Sequence, residues 1–264
     1  MESIKDLLRI TFLGTGTSQG IPMIASNDPV SFSKNTKDKR LRSSILISWN
    51  AINCVIDCGP DFRQQMLREN VKSLQGVFFT HEHADHTAGL DDLRPFCYQI
   101  GEMPIYLNKR VLKNLEKRFD YIFSKENRYP GAPSVTPYVI DNNSFNFKGL
   151  EIQPINVLHG NLPILGYRFN NVAYLTDVKY ISKEEKNKLK ELDVLIINAL
   201  RIETHFTHLN LQEALMLVKE LNPKKTYFTH VSHKLGFHDE VQEKLPKNVF
   251  LAYDGLQLLL PFLT

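Results

Sequence analysis

Cysteine is scarce in this chain of 264 residues, which contains only Cys54, Cys58 and Cys97. Their number is odd and no C-x-x-C spacing occurs, so the sequence indicates neither a disulfide framework nor a zinc ribbon. We therefore expect three reduced thiols, with Cys54 and Cys58 in or beside a strand.

Long hydrophobic runs are also missing. Apolar stretches such as 256 to 260 are far shorter than the roughly 20 residues that a membrane-spanning helix needs. The first six residues carry charges of both signs, with no hydrophobic segment and cleavage site of the secretory type. The sequence thus favours a cytoplasmic protein with no membrane segment.

A strong excess of one charge is the third absence. The formal net charge is +3 and the isoelectric point is about 8.6, which is far from the concentrated basic field of a protein that binds nucleic acid backbones. A hydrophobic content of 42% and a charged content of 23% are typical of a soluble protein with a substantial core. We predict a single domain over residues 1–264, and a homodimer is left open.

What the sequence does have is a dense group of metal-type side chains directly after an apolar run. His81, His83, Asp85 and His86 lie within six positions. On an extended backbone His81 and His83 point to one side, while Asp85 and His86 can turn toward a second position. Zn²⁺ and Mn²⁺ accept imidazole nitrogens and carboxylate oxygens. Such a crowded group would be repulsive and poorly solvated without a cation, so the pattern predicts metal binding.

The run cannot complete a metal site alone, because one ion takes about four to six donors. His159, Asp177 and His230 are the candidate partners, since each stands at the end of a predicted strand beside glycine, threonine or another turn signal. An isolated histidine such as His238 is interpreted instead as an ordinary core or surface residue.

Hydrophobic patterns predict strands mixed with helices, joined by hairpins as well as crossovers, which favours two mixed sheets covered by helices. The strands are expected at 9–13, 44–48, 52–57, 77–80, 151–158, 166–169, 172–176, 194–197, 225–229 and 255–260. A helix over 87–99 is expected to break at Pro95, and a capping box at Asn210–Glu213 opens another helix. Residues 26–43 are interpreted as a surface loop, and so are residues 129–143.

The stretch Thr80–His86, followed in order by His159, Asp177 and His230, resembles the metallo-β-lactamase superfamily of binuclear metal hydrolases over nearly the whole chain. Further motifs are similar to the branch that includes the carbon–phosphorus lyase accessory phosphodiesterase: 14–16, 56–63, 207–210, 229–233 and 252–255. The tRNA 3′-processing endonuclease is a more distant relative. The resemblance implies an α/β fold, a four-layer αββα sandwich of two mixed sheets flanked by helices.

The resemblance also implies the ligands of two divalent ions, Zn²⁺ or Mn²⁺. His81, His83 and His159 would hold one ion, Asp85, His86 and His230 would hold the other, and Asp177 would bridge them together with a hydroxide.

One further position matches a residue that serves catalysis in these relatives. His208 matches a histidine that assists the leaving group, and it is counted with Asp85 as catalytic. His205 is the rival for that role, and Asp57 is expected to orient a ligand histidine. Some relatives hold a separate structural zinc with a cysteine-rich insertion and a histidine like His233. Because residues 21–43 contain no cysteine, we expect no such zinc.

The function predicted in this way is hydrolysis of a small or cyclic phosphodiester, with that small molecule as the partner. Two alternatives stay open. A tRNA 3′-processing-type ribonuclease would need a basic arm to grip RNA, and residues 120–143 supply few basic side chains. A thioester or lactone hydrolase is possible because one fold supports several substrates.

Overall fold

The computed structural model describes residues 7–124, 126 and 128–262. The first six residues, on which the cytoplasmic prediction partly depends, lie outside this range. Within it, no helix combines the length and the apolar character needed to cross a membrane. The described residues form two compact units: those within 7–13, 44–141 and 257–262 make the first unit, and residues 14–43 and 142–256 the second. The single-domain assignment stays a prediction.

The first unit contains a mixed sheet of seven strands in the order β14-β1-β2-β3-β4-β5-β6. Strands β3 to β6 run parallel to one another, whereas β2 and β14 are antiparallel to β3 and β1. The strands are β1 (Leu7–Gly14), β2 (Ser44–Trp49), β3 (Ile52–Ile56), β4 (Gly76–Phe78), β5 (Met103–Leu107), β6 (Val135–Val139) and β14 (Gln257–Pro261).

The second unit contains another mixed sheet of seven strands, in the order β13-β12-β11-β10-β9-β8-β7. Strands β10 to β13 are parallel, and β7 to β10 are joined as antiparallel neighbours. The strands are β7 (Phe145–Phe147), β8 (Leu150–His159), β9 (Leu162–Phe169), β10 (Val172–Leu175), β11 (Val194–Asn198), β12 (Lys225–Thr229) and β13 (Val249–Leu251). Two mixed sheets with helices were predicted, and the prediction is confirmed.

Helices cover these sheets with apolar faces. In the first unit they are α1 (Phe62–Arg68), α2 (Ala84–Thr87), α3 (Arg94–Ile100), α4 (Lys109–Arg118) and α5 (Asp120–Phe123), and in the second α6 (Lys183–Asn187), α7 (Leu211–Leu221) and α8 (His238–Lys244). Helix α4 buries Val111 and Leu115 in the core of the first unit. Helix α7 buries Ala214 and Val218 in that of the second. The three cysteines are free and buried, as predicted.

The predicted break at Pro95 in the helix over 87–99 is wrong. Helix α2 ends at Thr87, a 3₁₀ turn spans Leu90–Leu93, and α3 then runs through Pro95 to Ile100. Proline is tolerated there because the first turn of a helix has no intrahelical partner for its missing N–H. Pro95 therefore stands at a helix start.

Two predicted loops also differ from the structure. Residues 135–139 form the edge strand β6, paired in parallel with β5. The edge position accommodates Pro137, whose missing N–H weakens the strand signal. The segment 26–43 carries 3₁₀ turns at Pro29–Phe32 and Thr36–Asp38. It is not a purely surface loop, because Asp38 and Arg40 are buried.

Candidate metal centre

In the first unit, candidate ligands follow the carboxyl ends of two parallel strands. Asp57 comes directly after β3, and His81 follows β4 by three residues. Parallel neighbours place their carboxyl ends at the same edge of a sheet, which is where such folds build their sites. His83 precedes α2, and Asp85 and His86 lie within it.

The four side chains of the predicted run form a tight group, which we call the first cluster: His81, His83, Asp85 and His86. The His81 Nε2 and His83 Nδ1 atoms are 3.0 Å apart. His86 Nε2 lies 3.1 Å from Asp85 Oδ2, and the His81 and His86 rings are 4.2 Å apart at their centroids. His81 and His86 are buried. Nitrogen and oxygen donors at this density fit a divalent cation.

Asp57 orients His86, a member of the first cluster. It is fully buried, and Oδ1 accepts a hydrogen bond from the Thr80 amide at 2.8 Å. Oδ2 accepts from the Thr80 hydroxyl and lies 2.7 Å from His86 Nδ1. Burial raises the pKa of Asp57, and the adjacent His86 opposes that shift. A carboxylate at Nδ1 leaves Nε2 of His86 for a metal, which is the orienting contact expected from the sequence.

The second unit holds a second cluster, made of His159, Asp177, His208 and His230. His159 ends β8, Asp177 follows β10, and His230 follows β12. His230 Nδ1 lies 3.0 Å from Asp177 Oδ1, and His208 Nε2 lies 3.3 Å from Asp177 Oδ2. One ligand atom each of His159, Asp177 and His208 falls within 4.8 Å of the others, and all three residues are buried.

The loop 201–208 distinguishes the two candidate leaving-group histidines. His208 contacts Asp177 directly, whereas His205 Nδ1 lies 3.1 Å from His208 Nδ1. Burial and then the neighbouring His208 lower the pKa of His205. The carbonyl oxygen of Thr207, in the same loop, accepts a hydrogen bond from His159 Nδ1 at 3.0 Å. His208 is therefore the histidine of this loop that contacts Asp177.

Sequence reasoning missed the groups that hold His230 from segment 14–43. The hydroxyl oxygens of Thr17 and Ser43 each lie 3.2 Å from its ring nitrogens. The glycine-rich loop makes this possible, because a Cβ on Gly16 would stand 2.9 Å from the Arg40 carbonyl oxygen. Glycine is therefore needed at position 16, because two backbone segments approach each other closely there. The motif Gly14–Gly20 was the available signal, but it did not identify its target.

This chain matches one family model and proteins of known name or structure. The family model described as Beta-lactamase superfamily domain matches residues 53–231, which is more than half of the chain. The chain belongs to the metallo-β-lactamase superfamily. Within it the chain is close to the PhnP branch: a solved diphosphatase from the PhnP family is 37% identical with a TM-score of 0.91, and the match covers 97% of this chain and 98% of that one.

Two curated relatives carry other names. A protein named Octanoyltransferase, from Porphyromonas gingivalis, is 38% identical over 256 residues, covering 96% of this chain and 52% of that protein. A Ribonuclease Z from Prochlorococcus marinus is 35% identical over 88 residues, covering 33% of this chain and 24% of that protein. This chain therefore spans about half the length of the first relative and a quarter of the second.

Proposed function

We propose that this chain is a metal-dependent phosphodiesterase that hydrolyses a small or cyclic phosphodiester. The observation that carries the proposal is the pair of histidine and aspartate clusters, in which all side chains except His83 and Asp85 are buried. The similarity to a PhnP-family diphosphatase over 97% of the chain supports phosphorus chemistry.

The two clusters are proposed to hold two divalent ions, Zn²⁺ or Mn²⁺. His81, His83 and His159 are assigned to one ion, Asp85, His86 and His230 to the other, and Asp177 to both. When bound, such ions supply Lewis acidity and an activated water. Nitrogen and oxygen donors without cysteine suit either metal.

The chain's own residues move the protons. Asp177 holds His208 through the 3.3 Å contact between Oδ2 and Nε2, so the imidazole is positioned to give a proton to the leaving oxygen. Asp85, 3.1 Å from His86 Nε2, is a carboxylate that can accept a proton released by water. Asp57 keeps the His86 ring in place through its contact with Nδ1.

The test is hydrolysis of bis(p-nitrophenyl) phosphate by protein loaded with Zn²⁺ or Mn²⁺. We expect turnover by the wild type and none above background for His81→Ala or Asp177→Ala, because each removes an assigned ligand. His233→Ala is the matched control and should retain activity. Loaded protein that ignores phosphodiesters but opens thioesters or lactones would overturn the proposal.

The leaving-group role is tested by His208→Ala. We expect kcat to fall by about 10²–10⁴-fold, the typical contribution of a positioned general acid, with metal content unchanged by elemental analysis. His205→Ala should keep most of its activity. The reverse pattern would assign the role to His205.

Thioester hydrolysis is the second candidate function. The Porphyromonas gingivalis relative, whose name denotes transfer of an octanoyl group, shares 38% identity with 96% of this chain. The superfamily fold does not determine the substrate, so an octanoyl thioester belongs in the same assay. A structured RNA completes the panel, since the Ribonuclease Z similarity covers a third of the chain.

A further inference from the structure

Ser43 lies in the second unit at the point where segment 14–43 meets His230. We propose that Ser43, held in place by a hydrogen-bond network around the buried Arg40 and the partly buried Asp254, is a positioning residue that fixes the tautomer and ring orientation of His230. The inference rests on the proposed function, in which His230 is a metal ligand.

The surroundings of His230 Nδ1 determine where the ring proton sits. Ser43 Oγ donates to the Gly16 carbonyl at 2.9 Å and lies 3.2 Å from Nδ1. A hydroxyl has a single hydrogen, so Ser43 can only accept from the ring. Thr176 Oγ1 donates to Asp177 Oδ1 at 2.6 Å and lies 3.3 Å from Nδ1, so it too can only accept.

The third neighbour of Nδ1 is also an acceptor. Asp177 Oδ1 stands 3.0 Å from it, and an ionised carboxylate has no proton to donate. Three acceptors around one nitrogen place the proton of the neutral ring on Nδ1. The lone pair is then on Nε2, where the hydroxyl of Thr17 lies 3.2 Å away as a donor.

This tautomer matters because a metal binds only an unprotonated imidazole nitrogen. A hydrogen bond at the other nitrogen orients the ring and raises its basicity. Ser43 therefore prepares Nε2 of His230 to bind a cation.

Ser43 is itself placed by short backbone contacts. The Gly16 amide donates to the Leu41 carbonyl at 2.8 Å. On the other side, the Val231 amide donates to the Thr15 carbonyl at 2.9 Å, and the Thr17 amide donates to the Val231 carbonyl at 3.0 Å. The loop that positions the His230 ring thus also holds the backbone of the next residue.

Arg40 and Asp254, both in the second unit, form hydrogen bonds that hold the loop at Thr15–Thr17 in place. Arg40 Nη1 donates to the Thr15 hydroxyl at 2.8 Å and to the Ala252 carbonyl at 2.5 Å. Asp254 Oδ1 accepts from the amide and the hydroxyl of Thr15, and Oδ2 accepts from the Leu41 amide at 2.8 Å. Asp254 therefore holds both Thr15, which precedes Gly16, and Leu41, which accepts from the Gly16 amide. Arg40 also holds Thr15.

Arg40 remains charged at neutral pH. Burial lowers the pKa of Arg40 to about 10, with Asp254 and Asp38 opposing the shift. Arg40 Nη2 also lies 3.1 Å from His238 Nδ1, which acts as an acceptor. Removing the Arg40 side chain would leave the nearby carboxylates of Asp254 and Asp38 without this opposite charge, which is costly in a partly buried site.

The experiment compares Ser43→Ala with Ser232→Ala. Ser232 is also buried and donates to a backbone carbonyl, that of Leu200 at 2.9 Å, so it controls for the loss of a buried hydroxyl. Nitrogen-15 NMR on metal-free protein at pH 7.5 reports the tautomer, with the His230 signals assigned from His230→Gln. We expect an Nδ1–H ring in the wild type and in Ser232→Ala, and a shift toward the Nε2–H ring in Ser43→Ala.

The second measurement is Co²⁺ affinity, followed by the visible d–d absorption of the ion. Ser43→Ala should bind Co²⁺ about 10–100-fold more weakly at one site, the usual effect of losing a group that orients a ligand. Arg40→Lys keeps the charge but loses the planar fork of donors, so it should shift the tautomer in the same direction. Should this variant fail to fold, the two serine variants decide.

The outcomes separate this inference from the proposed function. An Nε2–H or doubly protonated His230 in the wild type, or a Ser43→Ala protein identical to the wild type in tautomer and Co²⁺ affinity, would overturn the inference. A tautomer shift in Ser43→Ala together with no hydrolysis of any phosphodiester by loaded wild type would leave the inference standing and refute the proposed function.

Discussion

Three residues of the site occupy left-handed backbone conformations. Asp57, Asp177 and His230 have φ values of 64°, 59° and 52°. Residues other than glycine rarely adopt this region, although Asp, Asn and His do so more often than most. Such conformations cost about 1–3 kcal/mol each and persist where the surroundings impose them. At each of these positions the chain turns sharply at a strand end, which aims the side chain into its cluster.

His238 makes stability depend on pH. Burial, then Arg40 and Lys37, lower the pKa of His238 from 6.5 to about 4, against opposing effects of Asp239 and Asp38. The unfolded chain therefore binds a proton near pH 6.5 that the folded chain does not bind until about pH 4. The stabilising contribution is fully present above pH 6.5 and is lost as the pH falls from 6.5 to 4.

The expected result is a larger loss of unfolding free energy between pH 7.5 and pH 5 in the wild type than in His238→Asn. The amide oxygen of asparagine can still accept from Arg40, but the side chain does not titrate. Urea unfolding at the two pH values measures the difference. Equal losses in the two proteins would refute the assignment. His238 was interpreted as an ordinary core or surface residue, and its 3% exposure places it in the core.

At the scale of elements, the capping box of α7 is the clearest case of a local signal. Asn210 Oδ1 accepts from the Glu213 amide at 2.8 Å, and Glu213 Oε2 accepts from the Asn210 amide at 2.9 Å. The pattern was recognisable because both partners lie within one turn. Strands β5, β6, β7 and β13 were not predicted, because segments of three to five residues give little periodicity.

We expect Asn210→Ala to lower the free energy of unfolding by about 1 kcal/mol, the typical cost of losing an N-cap. Urea unfolding measures it, and Gln212→Ala on the exposed face of the same first turn serves as the control. A wild-type free energy in Asn210→Ala would show that the cap contributes nothing. The same side chain donates to the Ile202 carbonyl at 3.2 Å, so the loop that carries His208 should loosen as well.

For the whole molecule, metal ions should contribute to stability as well as to activity. A chelator is expected to abolish hydrolysis and lower the melting temperature, because an ion that binds only the folded state stabilises it. Differential scanning calorimetry before and after removal tests this, and elemental analysis should find two ions per chain. Zn²⁺ or Mn²⁺ should restore both properties. Unchanged melting after complete removal would contradict the prediction.

The family and the fold class could be predicted from the sequence because their signals are dense and local. The run Thr80–His86 places four ligand-type side chains within a few residues, and His159 and His230 each stand at the end of a segment with a local strand signal. That this chain matches only about half of the Porphyromonas gingivalis relative could not be predicted from such local signals.

The sequence by itself determined which side chains are of metal-binding type and in what order they follow the strands. Only the tertiary structure decided that His208 rather than His205 contacts Asp177, that Asp57 faces His86 Nδ1, and that Arg40 is buried beneath the loop holding His230. The reason is physical. Residue type and period are local properties of the chain, whereas a tautomer or a ring orientation depends on acceptors brought together from positions up to 187 residues apart.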